Sequence, residues 1–154
     1  MKKYFQKQFA YNEWTNNKLI KFVMSNNING KQVLNIFSHL ISIEEMWLER
    51  LKQTHDYLID VWETFSIQEI EVLSTNTSNG WKNFIKRQNK NTFNTIECNY
   101  LDSNGKELNN LFIDIMQQVL THSNYHRGQI NLLIKKLNFD PPKIDYINFT
   151  DEFY

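Results

Sequence analysis

Thr121-His-Ser-Asn-Tyr-His-Arg-Gly-Gln-Ile130 lies inside a long apolar-periodic segment, and its reading decides the fold. Around it, apolar residues step by three and four through Phe112, Ile115, Val119, Ile130 (or Gln129), Leu133 and Leu137. That is the spacing of a helix with one buried side. His122 and His126 fall on the same seam four residues apart, so a helix stacks both imidazoles on one face, about one turn apart. Burying two imidazoles is costly unless their ring nitrogens find partners. One metal ion satisfies both, provided at least one more ligand comes from elsewhere. Two histidines that merely fall near each other are the alternative, and the spacing alone does not separate the two.

The helix is expected to start at Asn109 or Asn110, either of which suits an N-cap, and to run to about Leu137. Asn138 can close it in a left-handed conformation, and Pro141-Pro142 prevents its resumption. The tail, residues 144–154, is apolar and aromatic enough to pack as an extended segment.

Upstream, Phe5, Phe9, Leu19, Ile20 and Val23 predict a first helix over about residues 3–24, ended by the turn chemistry of residues 25–30. Between Phe9 and Leu19 its seam falls on Asn12 and Asn16, which marks either a wet, shifted face or a polar cavity at mid-height. A second helix over about residues 31–53 carries the stripe Val33, Ile36, Phe37, Leu40, Ile43, Trp47 and Leu51, with His39 bordering it. Residues 54–65 lack a clear period and read as a crossover packed down by Tyr57, Leu58, Val61 and Trp62; His55, among polar residues, is given no role. Ser66-Ile67-Gln68-Glu69 is a capping box for a third helix reaching about residue 90, which the polar patch 74–80 can bend or interrupt. From Thr92 the period changes to two, with Ile96, Cys98 and Tyr100 alternating against Thr95, Glu97 and Asn99. With Asn104-Gly105 as the turn, this predicts a small β-hairpin between the third and fourth helices. The fold class is therefore all-α, a four-helix bundle with a hairpin insertion.

Composition bounds the function. The chain has 154 residues, 41% hydrophobic and 22% charged, which describes one ordinary soluble domain. Seventeen basic residues balance 17 acidic ones and no basic stretch rises above that balance, which argues against nucleic acid as a partner. No apolar run approaches membrane-spanning length and no signal-peptide core follows the start, so the expected location is the cytoplasm. Cys98 is the only cysteine, so no intramolecular disulfide can form, and it reads as a buried small hydrophobe.

His39 is the natural third ligand, since it projects from the only other helix with an inward-tending histidine. Three imidazoles with an open position describe a catalytic rather than a closed structural site. With no thiolate donors, zinc, nickel or another imidazole-tolerant ion, iron and manganese included, fits the set.

In this arrangement the chain resembles the DinB, or YfiT-like, family of metalloenzymes, which is unrelated to the DNA polymerase of that name. The likeness is carried by Tyr11-Asn-Glu-Trp-Thr-Asn16, by His39 followed by Glu44, Trp47, Leu48 and Arg50, and by His122-Ser-Asn-Tyr-His126-Arg127-Gly128-Gln129-Ile130 with Pro141-Pro142 and Asp145. It runs over essentially the whole chain, as one domain over residues 1–154. The resemblance implies a four-helix bundle, a divalent metal on His39, His122 and His126, and a homodimer. It also implies S-transfer or isomerisation chemistry with low-molecular-weight thiols in the characterised relatives. Where relatives often carry another histidine one turn before the pair, this chain has Gln118.

The leading expectation is a metal-dependent transferase acting on a small molecule, in which the ion activates a thiol or water. Asn12, Asn16, Gln129 and Arg127 would contact substrate or bound water or support the ligands from behind; Arg127 could recognise a carboxylate, but a place on the surface or in a dimer interface is the more ordinary one for it. Glu44, five residues after His39, points well away from it and is expected to be structural. A stress-related metal-binding bundle without catalysis, and a metal-dependent hydrolase with its own general base, are the rival readings.

Overall fold

A computed structural model describes residues 1–53, 59–89 and 91–153. These residues form α1 (Lys2–Ser25), α2 (Lys31–Lys52), α3 (Ile67–Arg87), the single-turn α4 (Thr92–Thr95), strands β1 (Glu97–Leu101) and β2 (Glu107–Leu111), α5 (Phe112–Lys136) and α6 (Tyr146–Phe153). The long helices α1, α2, α3 and α5 build the expected four-helix bundle, and the hairpin is inserted before its last helix.

Side-chain contacts set the helix directions. Lys2 at the start of α1 donates to carbonyls of Lys86 and Gln88 at the end of α3, so these helices run antiparallel. Leu48 and Leu51 near the end of α2 share an apolar cluster with Trp81, Phe84 and Ile85 of α3 and with Phe112 and Ile115 of α5. Helix α2 therefore runs parallel to α3 and antiparallel to α5. A parallel pair cannot be joined by a tight turn, which is why a long crossover separates α2 from α3. His55, Tyr57 and Leu58 of that crossover lie outside the described residues. Farther along it, Phe65 is half-buried and its backbone N–H donates to Ser38 Oγ at 2.9 Å.

The capping box forms as the sequence predicts. Ser66 Oγ accepts from the Glu69 N–H, and the Glu69 carboxylate accepts from the Ser66 N–H at 2.8 Å. Such a cap stabilises by about 1 kcal/mol. The patch 74–80 does not interrupt α3, because Ser74, Thr77 and Ser78 are buried against the bundle.

Three features differ from what the spacing suggests. The fourth long helix starts at Phe112, because strand pairing continues to Glu97↔Leu111. Asn109 and Asn110 are spent in β2, bonding Glu97 and Tyr100 across the hairpin. Ile96, expected inward, is exposed, and Cys98 alone fills the inner face fully. The tail forms helix α6 rather than an extended strap, with Tyr146 and Phe149 packed on Tyr11 and Trp14 of α1.

The core is split. One apolar cluster gathers Phe5, Phe9, Trp81, Phe93, Phe112 and Met116 at one end, and a second gathers Leu19, Ile20, Phe37, Ile41, Ile70 and Ile134 at the other. Between them lie the buried polar residues Asn12, Asn16, Glu44, Ser123 and Arg127. The buried stripes are also rotated from those the periodicity indicates. On α2 the centre runs Val33, Phe37, Ile41, Glu44, Leu48 and Leu51, leaving Ile36, Ile43 and Trp47 half-buried. On α5 it runs Met116, Val119, Ser123, Arg127, Ile130 and Ile134.

Candidate metal centre

The rotation of α5 sets where its histidines stand. With Ser123 and Arg127 at the centre of the buried face, His122 and His126 lie one residue to the side, at its margin. His126 is buried and His122 half-buried. At that margin they meet His39 of α2, and the ring centroids of His122 and His126 are 5.3 and 4.8 Å from that of His39. One nitrogen from each of the three rings lies within 4.8 Å of the others, so the three could hold a metal ion. The structure thus brings together the three residues the sequence singles out.

Two rings are held by their second nitrogen. His39 Nδ1 lies 2.8 Å from the carbonyl oxygen of Val61. A carbonyl only accepts, so Nδ1 carries the proton and Nε2 keeps its lone pair. His126 Nδ1 donates to Gln129 Oε1 at 2.7 Å, one turn on along the same helix, which again leaves Nε2 as the lone pair. His126 Nε2 then faces His122 Nε2 at 3.1 Å. Ligand nitrogens about 2.0–2.1 Å from a tetrahedral ion stand roughly 3.3 Å apart, so this pair is already spaced for one. His122 Nδ1 is buried without a hydrogen-bond partner, so this ring's polar contact is the one through Nε2 to His126.

Burial, helped by the neighbouring His126 and His39, pushes the His122 imidazole down to about 4 from its ordinary value near 6.5. His126 is also lowered, by burial and more weakly by His39, against the opposing bond to Gln129. Both therefore favour the neutral, ligating form. For the metal-free protein this implies acid sensitivity. Between the folded value of His122 and its unfolded value the unfolded chain binds more protons, so stability rises with pH there. The contribution is full above about 6.5 and is lost as pH falls toward 4. The urea midpoint of chelator-treated protein should fall between pH 7 and pH 5, and His122→Gln should flatten that slope.

Trp62 forms the outer wall. It is 63% exposed, yet its ring stacks on His39 at 3.8 Å and 10°. Beside it runs a groove of about 440 Å³ lined, among the described residues, by Gln32, Asn35, Ile36, Trp62, Gln129, Leu132 and Leu133. It shares with the centre two residues that touch its rings, Trp62 and Gln129.

Asn12, Asn16 and Arg127 are placed differently from the expected substrate contacts. They form a closed layer with Glu44, which, like Arg127, is only 1% exposed. Asn12 and Asn16 each donate their amide N–H to the Glu44 carboxylate, at 2.8 and 3.2 Å. Each also accepts from Arg127 Nη1 on its amide oxygen, at 2.7 and 2.9 Å. An asparagine suits this place because its two ends match a carboxylate and a guanidinium at once. Ser123 Oγ donates to Glu44 Oε1 at 2.8 Å, Arg127 Nη2 donates to Asn124 Oδ1 at 2.7 Å, and Trp81 Nε1 donates to the Glu44 carbonyl at 3.1 Å. Burial lowers the pKa of Arg127 and the Glu44 carboxylate opposes that. The carboxylate that faces Arg127 is thus internal, and Asn12 and Asn16 bridge the two. Gln129, of the two places the sequence allows it, takes the one behind a ligand, on His126 Nδ1.

Glu44 and Ser123 were not legible as parts of one layer. The signal lay in Glu44's own place, three residues after Ile41 and four before Leu48, on the stripe that proves central. Val61 contributes only a backbone carbonyl, which no side-chain pattern announces.

The family model described as DinB family matches residues 1–152. No curated protein matches the chain.

Proposed function

The chain belongs to the DinB family, and from that premise we propose that His39, His122 and His126 bind a divalent metal ion, zinc or nickel, in a transferase that activates a thiol. The observation that carries the reading is the convergence of three imidazoles, two of them oriented through Nδ1 by Val61 and Gln129. An ion held by three imidazoles has room for an exogenous ligand and lowers the pKa of a thiol or water bound there.

The remaining work falls to the chain itself. Val61 and Gln129 fix ring orientation, Trp62 shields His39 from solvent, and the groove beside Trp62 and Gln129 receives the acceptor molecule. The groove's apolar wall of Ile36, Trp62, Leu132 and Leu133 favours an acceptor with an apolar body, and Gln32 and Asn35 offer it amide contacts. A hydrolase would need a general base beside the ion. Among the described residues no carboxylate joins the histidine cluster, and Glu44 is engaged by Asn12, Asn16 and Ser123. External thiol activation is therefore preferred.

Metal analysis of untagged protein grown with zinc and nickel should find about one ion per chain, removable by chelator. Metal-free wild-type protein under those conditions would sink the metal site. A panel of low-molecular-weight thiols with an electrophilic acceptor should give turnover that disappears on chelation. A metal-loaded protein inactive with every thiol would instead be a metal-binding module.

A further inference from the structure

We propose that the buried Glu44 layer is a positioning device for the histidine cluster. Glu44, through Ser123 directly and through Asn12 and Asn16 to Arg127, sets the register of α5 against α2 that brings His122 and His126 to His39. The inference rests on the metal reading above.

The placement argues for it. Ser123 and Arg127 follow His122 and His126 by one residue each, so the two tethers repeat the spacing of the two ligands on an adjoining strip of the same helix. Rotating α5 by one residue, about 100°, would turn the imidazoles away from His39 and break the tethers together. The other end of the tether is also shared, because Glu44 and His39 both belong to α2. The layer makes its bonds beside the imidazoles, not to them. The rings themselves meet Val61, Trp62, Tyr125, Gln129 and one another, so the layer acts on the ligands through the backbones that carry them.

Chemistry gives a reason for placing charges there. Buried ion pairs are a weak source of stability compared with well-packed apolar side chains. The apolar clusters at both ends of the bundle already supply packing. Apolar surfaces tolerate small slips, however, whereas the bonds joining a carboxylate, two amides, a hydroxyl and the two terminal nitrogens of a guanidinium form together in one register. Asn12 and Asn16 extend that constraint to α1, and Trp81 extends it to α3.

Cobalt(II) titration of the chelator-stripped full chain separates positioning from bulk stability, because its visible bands report ligand geometry and affinity together. The double variant Glu44→Gln/Arg127→Met removes both charges and leaves the histidines intact. It is expected to fold with a helical spectrum like wild type, to bind cobalt about tenfold more weakly, and to show shifted bands. Ser123→Ala, which removes one bond, is expected to shift the bands in the same direction with a smaller loss of affinity at an unchanged urea midpoint. A folded double variant with wild-type affinity and bands overturns the inference. Should the double variant fail to fold, Ser123→Ala decides, and wild-type behaviour there overturns it. Wild-type protein that binds no cobalt sinks the metal reading itself, whereas binding that is unchanged in the variants sinks only the positioning role.

Discussion

Glu44→Ala is expected to lower unfolding stability by about 3–5 kcal/mol, the range for removing one charge of a buried pair, here bridged to Arg127 by Asn12 and Asn16. Against a total of about 5–15 kcal/mol for a domain, that is a large share. The loss has two sources. Arg127, only 1% exposed, would keep a charge with no counter-charge beyond Asn12 and Asn16. Asn12, Asn16 and Ser123 would each lose the acceptor they now share. Urea unfolding followed by circular dichroism measures the effect, and Glu44→Gln/Arg127→Met should recover most of it because no lone charge remains. A single variant within about 1 kcal/mol of wild type would show that water reaches the layer and replaces the carboxylate.

The second large effect is metal-linked stability. Anything that binds the folded chain alone stabilises it, and free zinc at a hundredfold excess over its dissociation constant should contribute about 2.7 kcal/mol. A rise in Tm on adding zinc, reversed by chelator, is the expected calorimetric result. His126→Ala should abolish the rise. His126 faces His122 Nε2 at 3.1 Å and is itself oriented by Gln129, so its removal takes away a ligand rather than a peripheral contact. An equal rise in the variant would place the stabilising zinc elsewhere on the chain.

The bundle was legible in sequence for a local reason. Helical period, the Ser66–Glu69 box, the left-handed stop at Asn138 (φ 63°) and the Asn104-Gly105 turn all act within a few residues, so each can be read without its neighbours. The same locality explains the misplaced start of α5. Asn109 and Asn110 suit an N-cap, but cross-strand pairing with Glu97 and Tyr100 claims them first. Helix α6 was missed because its support comes from Tyr11 and Trp14, more than a hundred residues away in sequence.

By itself, then, the sequence determined the all-α class, the position of the hairpin, the family likeness and the three histidines as a candidate set. Those follow from spacing along one element and from an unusual string of residues. Only the tertiary structure decided that Ser123 and Arg127, not the histidines, occupy the centre of the α5 face. Only it decided that Asn12 and Asn16 bridge Glu44 to Arg127 rather than contacting a substrate. Periodicity gives the width of a buried stripe but not the angle at which neighbouring helices press on it. A shift of one residue, about 100° around the helix, exchanges core for margin. That angle comes from the packing of four helices together, and here it leaves the imidazoles at the edge of the bundle, beside Trp62 and a groove open to solvent.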